Sequence, residues 1–278
     1  GINIPNLTAW YKFDNNTADS SGNGNHATAS NAITATTNRF NQANKAYSFS
    51  SGSNSSVTLP ASILGNAQNK SISFWFKRSA GGVAQPLLTY QVASPGAWNA
   101  AAFIGTDNIL RGWFYQGGAA PWSSGVTIDT NWHHFAITTT TNNQTAYLDG
   151  ALVAVMAGGI NVGTSSILRV GAGYMGAMAG VPSAGTYYFS GKIDEVRFYN
   201  ATLTAGNITT IYTGEIGFTQ QPQSVSVCTG QSASFTVAVN GNVTYQWQKN
   251  GSNISGATSA TYNIASVAAG DVGNYTCV

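Results

Sequence analysis

From Ile72 to Lys77 the chain reads Ile-Ser-Phe-Trp-Phe-Lys, which puts Ile72, Phe74 and Phe76 on one face of a strand and Ser73, Trp75 and Lys77 on the other. Short segments of the same kind, rich in Val, Ile, Thr and aromatics, recur between clusters of Gly, Asn and Ser. They fall at residues 9–13, 71–77, 110–116, 133–139, 145–148, 167–171 and 193–199. That spacing predicts an all-β sandwich. Asp149-Gly150 supplies the positive φ angles of a tight hairpin turn. Helical spacing is confined to one short stretch, with Thr204 as N-cap, Ile208, Ile211 and Tyr212 on one side, and Gly214 as the stop.

A chain of 278 residues makes one large or two moderate domains. Charged residues are only 7% of it, and with a net charge of +2 and scattered basic residues a nucleic-acid surface is excluded. Aromatic residues at 12% still provide for a packed core. No apolar run approaches the length of a membrane span, so no membrane insertion is expected. The start, Gly1-Ile2-Asn3, has no leader pattern and reads as a mature form or an excised fragment. Polar, Thr-rich strands with few lysines fit a secreted or cell-surface protein.

Five stretches carry a family resemblance in their order along the chain. They are Asp19-Ser20-Ser21-Gly22-Asn23-Gly24-Asn25-His26, residues 71–77, Trp132-His133-His134-Phe135, Tyr147-Leu148-Asp149-Gly150 and Gly191-Lys192-Ile193-Asp194-Glu195-Val196-Arg197-Phe198-Tyr199-Asn200. Together they resemble the laminin G-like, concanavalin A-like jelly rolls over about residues 5–214. After Gly214 the pattern changes. Tyr245-Gln246-Trp247-Gln248-Lys249-Asn250-Gly251 and Asp271-Val272-Gly273-Asn274-Tyr275-Thr276-Cys277 resemble an immunoglobulin-like module, with Trp247 as its buried tryptophan and Tyr275 as its tyrosine corner. The expected architecture is a concanavalin A-like jelly-roll β-sandwich over residues 1–215, followed by an incomplete immunoglobulin-like β-sandwich over 216–278. Val278 falls inside that module's sixth strand, so a further strand and further domains of the same chain are expected beyond it.

The residues of the Asp19 turn allow two readings. Asp, Ser, Gly and Asn are the ordinary turn formers. Asp19 also offers a carboxylate, and Gly22 and Gly24 let the chain curl so that oxygens point inward, as calcium requires. The resemblance implies a structural calcium here, with Asp19, Gly22, Asn23, Asn25 and Asp194 as its ligands. Catalysis is not expected. The chain has two glutamates, Glu195 and Glu215, and lacks the Glu-x-Asp-x-x-Glu pattern that the resemblance associates with hydrolases of this fold. Asp194 and Glu195, adjacent on a strand, are expected to face opposite sides. His133 and His134 read as structural, one facing the core and one solvent, and His26 as a turn residue.

A ligand platform is expected on loops that combine aromatics with small residues: Trp98 in 95–99, Trp122 in 117–122 and Tyr174 in 173–175, with Asp107 and Arg111 as hydrogen-bonding neighbours. The function expected from the resemblance is adhesion or recognition, with glycans as partners. The alternatives are a spacer in a multidomain surface protein and an accessory carbohydrate-binding module of a polysaccharide-degrading enzyme. Cys228 lies about nine residues before the strand position, near Val237, that could face Cys277. At about 3.3 Å per residue the two are expected not to bond to each other, leaving Cys228 for a partner beyond Val278.

Overall fold

The computed structural model describes residues 4–65, 67–92, 98–114, 120–160, 162, 165–214, 217–240 and 244–278. The chain divides into two compact units, residues 3–212 and residues 213–278.

The larger unit stacks two antiparallel sheets. In chain order its strands are β1 (Leu7–Tyr11), β2 (Ala29–Asn31), β3 (Thr34–Thr36), β4 (Ala46–Phe49), β5 (Ser56–Leu59), β6 (Lys70–Arg78), β7 (Gln85–Val92), β8 (Trp98–Ile104) and β9 (Ile109–Gly112). Then come β10 (Trp122–Thr127), β11 (His133–Thr139), β12 (Asn143–Leu148), β13 (Ala151–Ala157), β14 (Ser165–Val170), β15 (Ala172–Met175), β16 (Gly185–Tyr188) and β17 (Gly191–Tyr199). One sheet runs β13-β12-β11-β6-β17-β4-β3, with β1 also paired to β17; the other runs β10-β9-β8-β7-β14-β5-β2. The hairpin β15–β16 is separate and packs against β7. The apolar faces meet in one core, where Phe74, Phe76, Phe135 and Ile137 of the first sheet join Leu88, Tyr90, Phe103 and Leu168 of the second. Each such side chain stabilises the fold by about 1.5–3 kcal/mol through burial.

The alternation expected in β6 is present, yet its other face is buried too. The cover comes from the segment after β17 and from α1 (Ala205–Thr213). The Ser71 hydroxyl donates to the Ala201 carbonyl (2.8 Å) and accepts from the Leu203 N–H (2.8 Å), while Tyr212 stacks on Trp75 with centroids 5.6 Å apart. Thr204 caps the helix as expected, its Oγ1 accepting from the Asn207 N–H at 3.1 Å. Ile208 and Ile211 are its buried residues. The Asp149-Gly150 turn joins β12 to β13 with φ of 50° and 78°.

Strand β17 makes one irregular turn that matters below. Along one edge it pairs with β6; along the other β4 takes residues 191–193 and β1 takes residues 196–199. At the changeover, the register against β6 slips by one residue between Asp194 and Arg197. Glu195 sits there at φ +56°, a β-bulge.

The smaller unit holds β18 (Gly217–Gln220), β19 (Ala233–Thr236), β20 (Ala238–Asn240), β21 (Trp247–Lys249), β22 (Ser252–Asn253), β23 (Thr261–Ile264) and β24 (Tyr275–Cys277). Trp247 is fully buried and its indole N–H donates to the Ser259 carbonyl at 2.9 Å. The Tyr275 hydroxyl donates back to the Asp271 carbonyl at 2.8 Å, closing a tyrosine corner. Val237 packs in the same cluster as Trp247 and Cys277, the place expected for the residue facing Cys277. Both cysteines are free, Cys228 on an exposed turn.

Candidate ligand groove and the acidic turn

The Asp19 turn has the polarity of an anion nest. The N–H groups of Trp10 and Ser21 donate to Asp19 Oδ1 (2.9 and 2.8 Å), and the Ser21 hydroxyl and Asn25 N–H donate to Oδ2 (2.8 and 2.9 Å). A carboxylate has about four lone-pair sites, so all are taken. Burial pushes the Asp19 carboxyl up, but these four hydrogen bonds outweigh it and hold it below its ordinary value. Gly22 and Gly24 do curl the chain through positive φ (90° and 75°), which brings the Asn25 N–H onto the carboxylate. Asn23 and Asn25 donate through their amides to the carbonyls of Leu7 and Thr8, and the Asn25 carbonyl accepts from the Tyr11 hydroxyl.

Asp194 is engaged elsewhere. It is buried, its Oδ2 lies 3.6 Å from Arg39 Nη1, and its Oδ1 has no partner. Burial and then the charge of Glu195 raise its pKa well above the ordinary value, against the pull of Arg39. Among the described residues no group of three or more His, Cys, Asp or Glu could hold a metal ion. With four donors already on it, the Asp19 carboxylate does not fit the calcium expected from the resemblance, and Asp194 faces Arg39 instead. Melting curves in calcium and in EDTA should coincide within about 1 °C, because only a ligand that binds the folded state shifts the midpoint. A calcium-dependent rise of several degrees would show that the turn reverses its polarity around the ion.

The bulge corrects a second expectation. Ile193, Val196 and Phe198 all lie in the core, so Asp194 and Glu195 together occupy the opposite face. Strict alternation forbids that, and the extra residue of the bulge allows it. Glu195 accepts from the Trp10 indole N–H (2.6 Å) and from Arg197 Nη2 (2.5 Å), and Lys12 and Arg197 both sit over the Trp10 ring. The opposed-faces objection to a paired-carboxyl site therefore does not hold here. Asp194 is nonetheless closed off from solvent.

The two histidines do not divide into one facing the core and one facing solvent: His134 is buried on the face that α1 covers, and His133 is half-buried. His133 is half-buried between Asp149 (2.8 Å) and Asp129 (3.1 Å), and the hydrogen bond to Asp149 leads the causes that raise its pKa. His134 is fully buried between Trp75 and Tyr212 with neither ring nitrogen partnered. Burial, followed by the charges of Arg197 and Arg39, lowers its pKa from 6.5 to about 3. A histidine depressed on folding contributes stability that is full above its unfolded pKa and is lost as pH falls through the folded one. The His134 contribution is therefore lost between about pH 6.5 and 3. His133, raised, works in the opposite sense. His134→Phe should flatten the acid-side fall of the melting temperature in that window, the slope rather than the absolute midpoint being the readout. An unchanged slope would assign acid lability to other groups.

Trp122 does not join the expected aromatic platform. Trp122 opens β10 opposite Gly112, points into the core and stacks on Phe135 (centroids 5.8 Å, 16°). The strand's two-residue period, counted from Trp122, leaves Ser123 exposed instead. Tyr174 is 40% exposed on β15. The backbone of Trp98 begins β8, while its side chain, like residues 93–97 and 115–119, lies outside the described residues.

What does form is a groove of about 580 Å³ lined by Arg111, Trp113 and Ser123, by Ala120 and Pro121, and by the 176–179 segment including Met178. The segment is held in place where Met178 and Val181 exchange backbone hydrogen bonds (2.9 and 2.8 Å) and the Thr106 N–H donates to the Gly180 carbonyl (2.9 Å). Arg111 meets Asp107 in a two-pronged ion pair, with Nη1–Oδ1 at 2.7 Å and Nη2–Oδ2 at 2.6 Å. A Cβ on Gly105 or Gly180 would lie 2.6 or 2.7 Å from Arg111 Nη1, so two glycines make the slot for the guanidinium. Trp113 packs in the core cluster with 9% of its surface exposed, and its indole N–H is buried without a partner. Sequence reasoning had placed Arg111 as a neighbour but missed Trp113. The signal was available: in the strand expected at 110–116, Arg111 and Trp113 share the face opposite Leu110.

Residues 50–209 match the concanavalin A-like lectin/glucanases superfamily. The chain belongs to that superfamily. Residues 217–278 match an immunoglobulin domain, so the concanavalin A-like unit is followed by an immunoglobulin-like one. No curated protein matches the chain. Solved structures similar to it include a Trypanosoma rangeli sialidase mutant with trans-sialidase activity (TM-score 0.57, 13% identity, covering 76% of this chain and 33% of that one). The receptor-binding domain of a botulinum neurotoxin C/D mosaic gives a TM-score of 0.54 at 14% identity, covering 76% of this chain and 51% of that one. Domain 4 of an extracellular arabinanase from Geobacillus stearothermophilus, in complex with arabinotriose, aligns at 22% identity over 73% of this chain and 96% of that domain, with a TM-score of 0.47. The chain thus spans about half of the toxin domain and a third of the sialidase. At these identities the likeness to the sialidase and the toxin domain is one of fold.

Proposed function

We propose that this chain is a non-catalytic glycan-recognition module of a secreted or surface protein, with its ligand in the groove between β9–β10 and residues 176–179. The observation that carries this is Trp113 lining the groove beside the fixed Asp107–Arg111 pair. A sugar ring presents an apolar face and hydroxyls, and such a groove offers an indole with Pro121 and Met178 for the one and charged hydrogen-bonding groups for the other. The groove's volume of about 580 Å³ falls within the ordinary range for small-ligand sites. Membership of a superfamily named for lectins and glucanases supports the same class of partner. The binding domain of botulinum neurotoxin DC, which is similar in fold, was solved in complex with SialylT.

A glycan array probed with the whole chain tests the proposal, followed by titration of whatever binds. Trp113→Leu and Arg111→Gln should each weaken binding at least about fivefold, the scale of one aromatic or charged contact, while the fold is retained. Undiminished binding in both folded variants would move the site away from the groove, and no binding to any glycan would sink glycan recognition itself.

A further inference from the structure

We propose that the groove selects uncharged sugars over acidic ones, and that Asp107 sets that choice by neutralising Arg111. The inference rests on the groove being a glycan site. Among the described residues that line the groove, Arg111 is the single charged one; the others are Trp113, Ser123, Pro121, Met178, alanines and a glycine. Its guanidinium already holds a carboxylate through two charge-assisted hydrogen bonds of 2.7 and 2.6 Å. That is the geometry in which arginine takes the carboxylate of an acidic ligand. Here the protein's own carboxylate occupies it.

The pair is built to stay formed. Gly105 and Gly180 fix the guanidinium in its slot, and the Ile109 N–H also donates to Asp107 Oδ1 at 3.2 Å. The hydrogen bonds from Arg111 hold the Asp107 carboxyl down at about 2, so it is ionised throughout the neutral range. Asp107 remains 44% exposed, and arginine has donors beyond the two it spends here. A sugar hydroxyl in the groove can therefore accept from the guanidinium without breaking the pair. A uronate or sialate carboxylate would have to displace Asp107 or sit against its like charge, at a cost either way.

The test is an array of neutral oligosaccharides and the same oligosaccharides bearing uronic or sialic acid. It uses the whole chain, Asp107→Asn and Arg111→Gln, with melting curves to confirm folding. The wild type should prefer the neutral member of each pair. Asp107→Asn, which frees the guanidinium, should shift the acidic-to-neutral ratio about tenfold toward acid. Arg111→Gln should weaken binding without that shift. A wild type that binds the acidic members more tightly overturns the proposal, even if the variants fail to fold, as does an unchanged ratio in folded Asp107→Asn. A wild type that binds nothing sinks the glycan site itself, a result distinct from either.

Discussion

Gly191→Ala should destabilise the jelly roll by about 4 kcal/mol or more, at the top of the range for one substitution. Gly191 opens β17 at φ +154°, and a Cβ there would lie 2.1 Å from the Lys77 carbonyl oxygen and 2.8 Å from the Arg78 Cα. Both are backbone atoms of the central strand β6, paired there with β17 itself, so neither can withdraw cheaply. For a unit of this size the loss corresponds to a fall of roughly 10 °C in melting temperature. Gly176→Ala, where a Cβ meets nothing within 4 Å, is the control and should leave it unchanged. Equal melting temperatures for the two variants would mean that β17 and β6 are not in the described register.

Trp247→Ala should unfold the smaller unit and leave the larger one standing. Among the described residues the indole is the largest fully buried side chain, it fills the space between Phe235 and Tyr262, and its N–H closes on Ser259. Removing a buried tryptophan costs about 3–5 kcal/mol. A domain this small has little more than that in reserve. Calorimetry of the whole chain should lose one transition and keep the other. A single transition shifted as a whole would show that the two units melt together.

What was legible in the sequence was what neighbouring residues decide. The β6 alternation, the Asp149-Gly150 turn, the Thr204 cap and the Tyr275 corner each depend on a few adjacent side chains, and each is present. What escaped depends on which strand lies alongside. The bulge at Glu195 exists because β1 and β4 share one edge of β17, a fact of pairing that no local pattern encodes. Trp122 looked like a loop residue after a run of small ones, but the start of β10 turns it inward onto Phe135. The Asp19 turn has the composition of a cation site. Only the directions of its N–H groups, fixed by the Tyr11–Asp19 bridge, reveal that they already serve the carboxylate. Trp113 was readable by period and overlooked because it sat in an assigned strand.

The central claim is that sugars are held between Trp113, Arg111 and the 176–179 segment. It is tested most directly by titrating the whole ¹⁵N-labelled chain with a neutral oligosaccharide from the array and following the side-chain resonances. The Trp113 indole, whose ring lines the groove, should shift most, together with Arg111 Nε and the amides of residues 176–179. Shifts centred on Trp10 and Glu195, or on Tyr174 alone, with the Trp113 indole unmoved, would contradict it.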